Sequence, residues 1–303
     1  MKNPIFEELK KLKLISKSNL RILSNKTRDK KIKVIKDLKT KIIFLDSYIT
    51  NNDYYSSLKY NDNDRKYIKN LKKKKTFVKT YSGIIKTPII EDDYRRANQF
   101  QRILKNKSIL DFGCGWGGFL RNLKNSKSLN GVELRDECIR YIGNNFKNIN
   151  VSNNISVFNK KFDIITMFHV LEHIPYQINT LKALRLKLKK RGKIIIEVPH
   201  AEDFLILQKE LKEFRNFTFW SEHLILHTYK SLQLILSKSG FKNINIQYYQ
   251  RYNFSNHLGW FLKRKPGGHD FYKNIISEKL NQSYIENLIS LKKTDTLIAV
   301  AEL

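Results

Sequence analysis

The sequence is poor in cysteine, proline, glycine and acidic residues. Its 303 residues include two cysteines, five prolines and twelve glycines. Cys114 and Cys138 show no CxxC spacing and no other sign of a disulfide framework or a zinc site, so we predict two small buried side chains rather than nucleophiles. No apolar stretch approaches the length of a membrane span, and the first ten residues lack the apolar block of a secretory signal. We therefore expect a cytoplasmic protein.

Acidic residues are scarce beside basic ones, 28 against 58, which gives a formal net charge of +30. A clustered basic surface is typical of proteins that bind nucleic acid or anionic membranes. Roughly half of the surplus precedes Ile90, notably in Lys26–Lys41 and Lys72–Lys75, and the rest is spread over predicted helix faces. The abundance of Lys, Asn and Ile also follows from AT-rich codons, so we attribute most of the charge to solubility and codon usage. An RNA, phospholipid or polyanionic-glycan partner is the alternative.

The segment Ser108–Leu120 joins a short apolar run to a glycine cluster and a predicted helix start. Its glycines are Gly113, Gly115, Gly117 and Gly118. They allow a sharp turn and a close approach to a ligand, and the helix that follows offers unpaired N–H groups. The spacing matches the dinucleotide fingerprint, with Glu133 placed to bind ribose hydroxyls. Asp111, however, is unfavourable beside a pyrophosphate and suits a ligand that carries an ammonium and a sulfonium.

Three later segments are predicted to be strands of the same sheet: Leu129–Leu134, Lys161–Phe168 and Gly192–Pro199. Glu133 lies at the end of the first, and the motif His169–His173 follows the second. In order and spacing these motifs resemble the class I S-adenosylmethionine-dependent methyltransferases. The likeness is to the small-molecule group that includes ubiquinone-biosynthesis O-methyltransferases and methyltransferases of polysaccharide loci. It extends over roughly residues 108–240.

The resemblance implies an α/β fold: a seven-stranded Rossmann-like sheet with an antiparallel last strand and helices on both faces. It implies S-adenosylmethionine as the cofactor, with its methionine end beside the glycine loop and its ribose on Glu133. The cofactor-binding residues that it implies are Asp111, Gly113, Cys114, Gly115, Glu133, Leu134, Asn154, Ile155, Met167 and Phe168. The Asn153–Ile155 segment departs from the acidic residue often found at the adenine position of that family.

Length and pattern predict one catalytic domain with additions. We expect a basic N-terminal extension of mixed helix and strand over residues 1–90, and the methyltransferase domain over 91–303, with an insertion at 252–293 that acts as a substrate lid. A helix over Glu91–Leu104 is predicted from its acidic start. In the resembled family such a helix closes over the cofactor, so Tyr94, Arg95 and Arg96 are candidate contacts of the cofactor or the substrate; a solvated helix face is the alternative.

Methyl transfer from a sulfonium is an in-line displacement, so aligning the donor and the acceptor supplies much of the rate. A base is needed only for a hydroxyl acceptor, and a neutral imidazole suits that task. His169 and His200 are the predicted catalytic residues, because they follow the fourth and fifth strands, where open α/β sheets bind ligands. His223 and His257 are further substrate-side candidates. For each histidine, a packed or hydrogen-bonded side chain is the structural alternative.

His169–His173 also matches the inverted zinc-peptidase pattern, but its position after a strand of a cofactor-binding sheet argues against proteolysis. It resembles more closely the Glu-x-x-Glu-His metal site of some methyltransferases, with His169 in place of the first Glu. Glu172 and His173 would then bind a magnesium-like ion that acidifies the acceptor hydroxyl. Because of the substitution we predict no metal and keep this site as the alternative.

The sequence thus predicts methyl transfer to a small molecule, a sugar or nucleotide-sugar of surface-glycan biosynthesis or another hydroxylated metabolite. An RNA methyltransferase that docks through the basic N-terminal segment is the first alternative. A non-catalytic scaffold that binds S-adenosylmethionine is the second.

Overall fold

The computed structural model describes residues 2–49, 77–80, 83–86, 91–272 and 274–303. The strands are β1 (Leu20–Ser24), β2 (Val34–Asp37), β3 (Ile43–Leu45), β4 (Phe77–Thr80), β5 (Gly83–Lys86), β6 (Ser108–Phe112), β7 (Ser128–Val132), β8 (Ile149–Ser152), β9 (Phe162–Phe168), β10 (Leu188–Pro199), β11 (Ile225–Leu226), β12 (Lys242–Tyr249) and β13 (Thr296–Glu302). The α-helices are α1 (Ile5–Lys11), α2 (Glu91–Gln99), α3 (Gln101–Leu104), α4 (Gly118–Arg121), α5 (Asp136–Asn145), α6 (Gln177–Leu186), α7 (Phe204–Leu207), α8 (Lys212–Thr218), α9 (Tyr229–Lys238), α10 (Phe254–Lys263) and α11 (Glu278–Ser290). None of these helices is both long and apolar enough to span a membrane.

The main sheet has seven strands in the order β8-β7-β6-β9-β10-β13-β12. Strand β6 pairs in parallel with β7 and β9, and β7 pairs in parallel with β8. The last strand, β13, lies between β10 and β12 and runs antiparallel to β12. Apolar runs such as Ile194–Ile196 on β10 are buried, as expected for strands covered on both faces. The predicted fold class is confirmed.

A second sheet contains four short strands in the order β1-β2-β3-β11. Strands β1, β2 and β3 form an antiparallel meander, and β11 adds to β3 through Ile225 opposite Phe44 and Leu226 opposite Ile43. The sheet therefore joins the beginning of the chain to a segment near residue 225.

The chain divides into two compact units. Unit 1 contains residues 1–50, 169–185 and 195–303, and unit 2 contains residues 51–168 and 186–194. The four-stranded sheet lies in unit 1, and strands β6 to β9 lie in unit 2. The predicted boundary at residue 90 and the basic run Lys72–Lys75 lie outside the described residues.

The N-terminal residues share a hydrophobic core with the later part of unit 1. Apolar side chains of α1 and β3, such as Ile5 and Phe44, pack in one cluster with Leu205 and Ile225. The Asn3 amide is buried and donates hydrogen bonds from Nδ2 to the carbonyl oxygens of Leu45, at 2.9 Å, and of Leu224, at 3.1 Å. The sequence suggests an appended segment, whereas these contacts make residues 2–49 an integral layer of unit 1.

The predicted insertion contains α10 and α11 and packs on the same core. Trp260 of α10 is buried, with its ring centroid 4.9 Å from that of Phe214 and 5.2 Å from that of Phe217. The Asp295 carboxylate accepts hydrogen bonds from the backbone N–H groups of Arg251 and Tyr252, which fixes the start of the segment. These contacts give the insertion a structural role, and its action as a lid stays a prediction.

Candidate active site

The glycine loop of unit 2 connects β6 to α4. Its backbone is held to the neighbouring strand by Gly113 N–H and Cys114 N–H, which both donate to the Val132 carbonyl oxygen, at 2.8 and 3.0 Å. Gly115 has a φ of +51°, and a Cβ built on it would meet no atom within 4 Å. That open space beside a left-handed backbone is what a ligand lying against the loop requires.

Cys114 is a packing residue of the loop. Its side chain is buried, and its sulfur leaves no room for a side chain at Gly131, where a Cβ would lie 2.5 Å from Sγ. Burial, with the nearby Asp111 and Glu133 carboxylates, raises the pKa of the Cys114 thiol. This agrees with the prediction that Cys114 is a small buried side chain.

Asp111 lies at the end of β6 and is 4% exposed. Its Oδ1 accepts a hydrogen bond of 2.6 Å from the Thr166 hydroxyl on β9. Burial raises the pKa of Asp111 from its usual 3.8 to about 7, although the Thr166 hydrogen bond and the Arg96 guanidinium act in the opposite direction. Ionisation of this buried carboxyl is unfavourable without a nearby cation. A ligand that carries an ammonium would supply that cation, so Asp111 suits such a ligand.

Glu133 follows β7 and holds the glycine loop. Its Oε2 accepts from Gly115 N–H at 2.8 Å, and its Oε1 accepts from the N–H groups of Leu134, at 2.9 Å, and Arg135, at 3.0 Å. A carboxylate offers about four lone-pair sites, so room for a ribose hydroxyl remains. The ribose role stays a prediction, and the structure adds that Glu133 also orients the loop.

Helix α2 is directed toward the same end of unit 2. The charges of Asp93 and Arg96 both act on Asp111, and the Arg96 guanidinium carbon lies 4.9 Å from the centroid of the Phe168 ring. Arg95 forms a 3.0 Å ion pair with Asp92 on its own helix. The predicted substrate role of Arg95 and of the half-buried Tyr94 stays a prediction.

The remaining predicted cofactor contacts differ in exposure. Met167 is fully buried in β9, and the Phe168 ring packs edge-on against Phe119 at 4.8 Å. Asn154 is exposed and caps a short 3₁₀ turn, where its Oδ1 accepts from Ser156 N–H at 2.9 Å. Ile155 begins that turn and is half-buried.

In unit 1, His169 lies within a network of charged groups. Its Nδ1 is 3.0 Å from Glu172 Oε1, and its Nε2 is 3.2 Å from Glu197 Oε1 and 3.1 Å from an Arg251 guanidinium nitrogen. Burial and Arg251 lower the pKa of His169, but the hydrogen bonds to the two glutamates outweigh them and leave it raised. Both ring nitrogens are thus engaged, which favours a positioning role over the predicted role as a base.

Glu172, His173 and His223 come together beside this network. One ligand atom from each lies within 4.8 Å of the others, and the two imidazole centroids are 4.9 Å apart. Glu172 is fully buried, and its Oε2 has no hydrogen-bond partner in the described part of the chain. Burial would raise the pKa of Glu172, but the His169 hydrogen bond and the three imidazoles lower it to about 2. The Glu172 carboxylate and the two imidazoles together supply the kinds of donor atom that bind a divalent cation.

The other predicted histidines have structural surroundings. His200 is 1% exposed, with Nδ1 2.9 Å from the Thr294 carbonyl oxygen, and burial lowers its pKa to about 4. His257 is buried, with Nδ1 2.7 Å from the Tyr284 hydroxyl, and burial lowers its pKa to about 3. These contacts favour the structural alternative for both residues, because an enclosed imidazole cannot meet an acceptor without rearrangement.

Sequence reasoning did not identify Thr166, Glu197 or Arg251 as site residues. Thr166 and Glu197 are buried inside predicted strands, and the only feature of the sequence that could have indicated a role is that each is a polar residue within an apolar run. Arg251 lies just beyond β12, and nothing in its local pattern indicates that it reaches His169.

Comparisons with known proteins identify the family of this chain. Residues 90–246, more than half of the chain, match the family described as a methyltransferase domain. The tRNA U34 carboxymethyltransferase of Nautilia profundicola is 28% identical over 155 residues, which is 46% of this chain and 49% of that protein. The ubiquinone biosynthesis O-methyltransferase of Coxiella burnetii is 34% identical over 104 residues, 31% of this chain and 44% of that protein. The chain therefore spans about half the length of these curated relatives.

Among solved structures, a SAM-dependent methyltransferase from Archaeoglobus fulgidus is similar over 70% of this chain and 94% of its own, with a TM-score of 0.47 and 22% identity.

Proposed function

This chain belongs to the methyltransferase domain family, and from that premise we propose that it transfers the methyl group of S-adenosylmethionine to a hydroxyl of a small acceptor. The observation that carries the proposal is the glycine loop of unit 2, and a cluster in unit 1 supports it separately. Unit 2 has a glycine loop with a buried carboxyl, Asp111, at its start. Unit 1 has a cluster of Glu172, His173 and His223 with an unsatisfied buried oxygen.

The residues of unit 2 fit the cofactor. Asp111 would accept from its ammonium, since a cation relieves the cost of ionising a buried carboxyl. The open side of Gly115 leaves room for the ligand along the loop. Glu133 would accept from the ribose hydroxyls with its remaining lone pairs. These contacts would orient the bound cofactor, and alignment of a methyl donor with its acceptor supplies much of the rate of a displacement.

The unit 1 cluster would activate the acceptor hydroxyl through a bound metal ion. Glu172, His173 and His223 would hold a divalent cation, which when bound lowers the pKa of a coordinated hydroxyl. One carboxylate and two imidazoles suit a transition-metal dication better than the magnesium-like ion that the motif suggests. His169 binds Glu172 Oε1, so Oε2, which has no partner among the described residues, would be available to the ion, while Glu197 and Arg251 hold the His169 ring.

We propose a sugar or nucleotide-sugar of surface-glycan biosynthesis, or another hydroxylated metabolite, as the acceptor. The likeness to a ubiquinone O-methyltransferase supports a small hydroxylated acceptor. RNA is the second candidate, and the observations that favour it are the net charge of +30 and the likeness to tRNA-modifying enzymes. Binding of RNA would weaken steeply with added salt, whereas binding of a small neutral sugar would not.

The first test is isothermal titration of the full chain with S-adenosylmethionine, S-adenosylhomocysteine and NADH. Binding of the first two and not of NADH is the expected result. Binding of NADH alone would overturn the cofactor assignment and indicate an oxidoreductase or a nucleotide sensor. Binding of S-adenosylmethionine without methyl transfer to any sugar, phenol or RNA tested would favour the scaffold.

A further inference from the structure

The segment that carries His223 is held in place by a turn of the N-terminal region. Arg28 N–H donates to the Phe219 carbonyl oxygen at 2.6 Å. The Asp29 carboxylate accepts from Ser221 N–H at 3.1 Å and from the Ser221 hydroxyl at 2.6 Å. Ser221 is fully buried, so this turn fixes the backbone two residues before His223.

Arg28 lies over the aromatic side chains of the same segment. Its guanidinium carbon is 4.5 Å from the centroid of the Phe217 ring and 5.2 Å from that of Trp220. The adjacent carboxylate, Asp29, is occupied by Ser221, and the Arg28 guanidinium has no ion-pair partner in the described part of the chain. A guanidinium stacked on rings keeps its in-plane N–H donors free for another ligand.

Trp220 extends this surface toward the cluster of unit 1. Its ring centroid lies 6.4 Å from that of His223, and the residue is 37% exposed. We infer that Arg28 and Trp220 form a subsite for the phosphate-bearing part of the acceptor, next to the groups that receive its hydroxyl. This inference rests on the proposed function and narrows its acceptor to a phosphorylated, hydroxylated small molecule such as a sugar phosphate.

The chemistry of the two side chains supports this ligand class. Arginine binds phosphate through two parallel N–H donors, which a neutral sugar cannot match. A partly exposed indole offers a flat apolar face against which a ring can stack. The exposed Lys26 and Lys30 flank the turn, so the local charge also attracts an anion.

The test uses the emission of Trp220 in the full chain. Trp116 and Trp260 are 6% and 3% exposed, so a neutral quencher such as acrylamide acts mainly on Trp220. We expect glucose 1-phosphate to protect the emission from quenching and glucose to give little protection. Arg28→Gln should weaken the apparent affinity for glucose 1-phosphate by about tenfold or more, because it removes a charged, bidentate hydrogen-bond donor.

Arg21→Gln is the matched control. Arg21 is also exposed on the N-terminal region, but its guanidinium donates to the carbonyl oxygens of Ser18 and Leu20 on its own segment. This variant should bind glucose 1-phosphate as the parent does. Equal affinity in the Arg28→Gln and Arg21→Gln variants, or equal protection by glucose, would overturn the subsite. If Arg28→Gln fails to fold, Arg28→Met replaces it, because methionine keeps a long apolar stem without the charge, and unchanged affinity there has the same meaning.

Two further measurements are needed. One distinguishes a small phosphorylated ligand from RNA, and the other distinguishes failure of the subsite from failure of the proposed function. Protection by a short single-stranded RNA but not by glucose 1-phosphate would overturn the small-acceptor subsite. Titration with S-adenosylmethionine tests the proposed function by itself. If the cofactor binds and methyl transfer proceeds equally in the Arg28→Gln variant, the proposed function stands and the subsite fails.

Discussion

Asp111→Asn should stabilise the free protein while it removes cofactor binding. Asparagine is close to the same size and keeps an oxygen that accepts from the Thr166 hydroxyl, so the substitution removes little besides the ionisable group. The pKa of Asp111 is raised from 3.8 to about 7 by burial. Each pKa unit corresponds to about 1.36 kcal/mol of difference between the two protonation states.

The sign of the effect follows from proton binding. Between pH 3.8 and about 7 the folded state holds a proton that the unfolded state has lost, so the free energy of unfolding falls as the pH rises through this window. The raised pKa of Asp111 lowers the free energy of unfolding by up to ~4 kcal/mol near about pH 8, and by only ~1 kcal/mol near about pH 4.5, where the folded state keeps the proton. Asp111→Asn should therefore raise the free energy of unfolding by most of this amount at the higher pH and by little at the lower pH.

Urea unfolding of both proteins at the two pH values, with and without S-adenosylmethionine, checks the reasoning. We expect the cofactor to stabilise the parent protein and to leave the Asn variant unchanged. If Asp111→Asn destabilised the free protein at the higher pH, ionisation of Asp111 would not be costly in the folded state. If the variant still bound the cofactor with parental affinity, Asp111 would not be a cofactor contact.

Four other results are expected. The affinity for S-adenosylmethionine should fall as the pH drops below about 7, because binding requires an ionised Asp111; calorimetry that finds a flat profile would contradict the assignment. Glu133→Ala should weaken cofactor affinity by about 1–3 kcal/mol, and unchanged binding would remove Glu133 from the site. Co²⁺ should quench the emission of Trp220, which lies 6.4 Å from His223, and His223→Ala should abolish this quenching; persistence would place the ion elsewhere. His169→Ala should weaken Co²⁺ affinity about 10- to 100-fold by releasing Glu172, with cofactor affinity retained, whereas unchanged Co²⁺ affinity would argue against a positioning role.

The strand, glycine loop and helix of the predicted cofactor site could be predicted from the sequence because their signals are local. A short apolar run, a glycine turn and a helix start follow one another within residues 108–120, and the next acidic residue, Glu133, directly follows β7. Strand period, left-handed glycines and the parallel pairing of successive strands set this geometry over short distances in the chain. The antiparallel position of β13 was expected from the resemblance and is confirmed.

Only the tertiary structure brings together the residues that we propose for the acceptor. His223 is some fifty residues from Glu172 in the sequence, and Arg28 is nearly two hundred from Trp220, yet each pair is close in unit 1. No periodicity in the sequence predicts such contacts, because they depend on which apolar faces bury one another and on long-range strand pairing such as that of β3 with β11. By itself the sequence determined the fold class and the cofactor loop, through local sterics and hydrogen bonding. The long-range burial of apolar surface determined which histidines meet a carboxylate and which remain packed in the core.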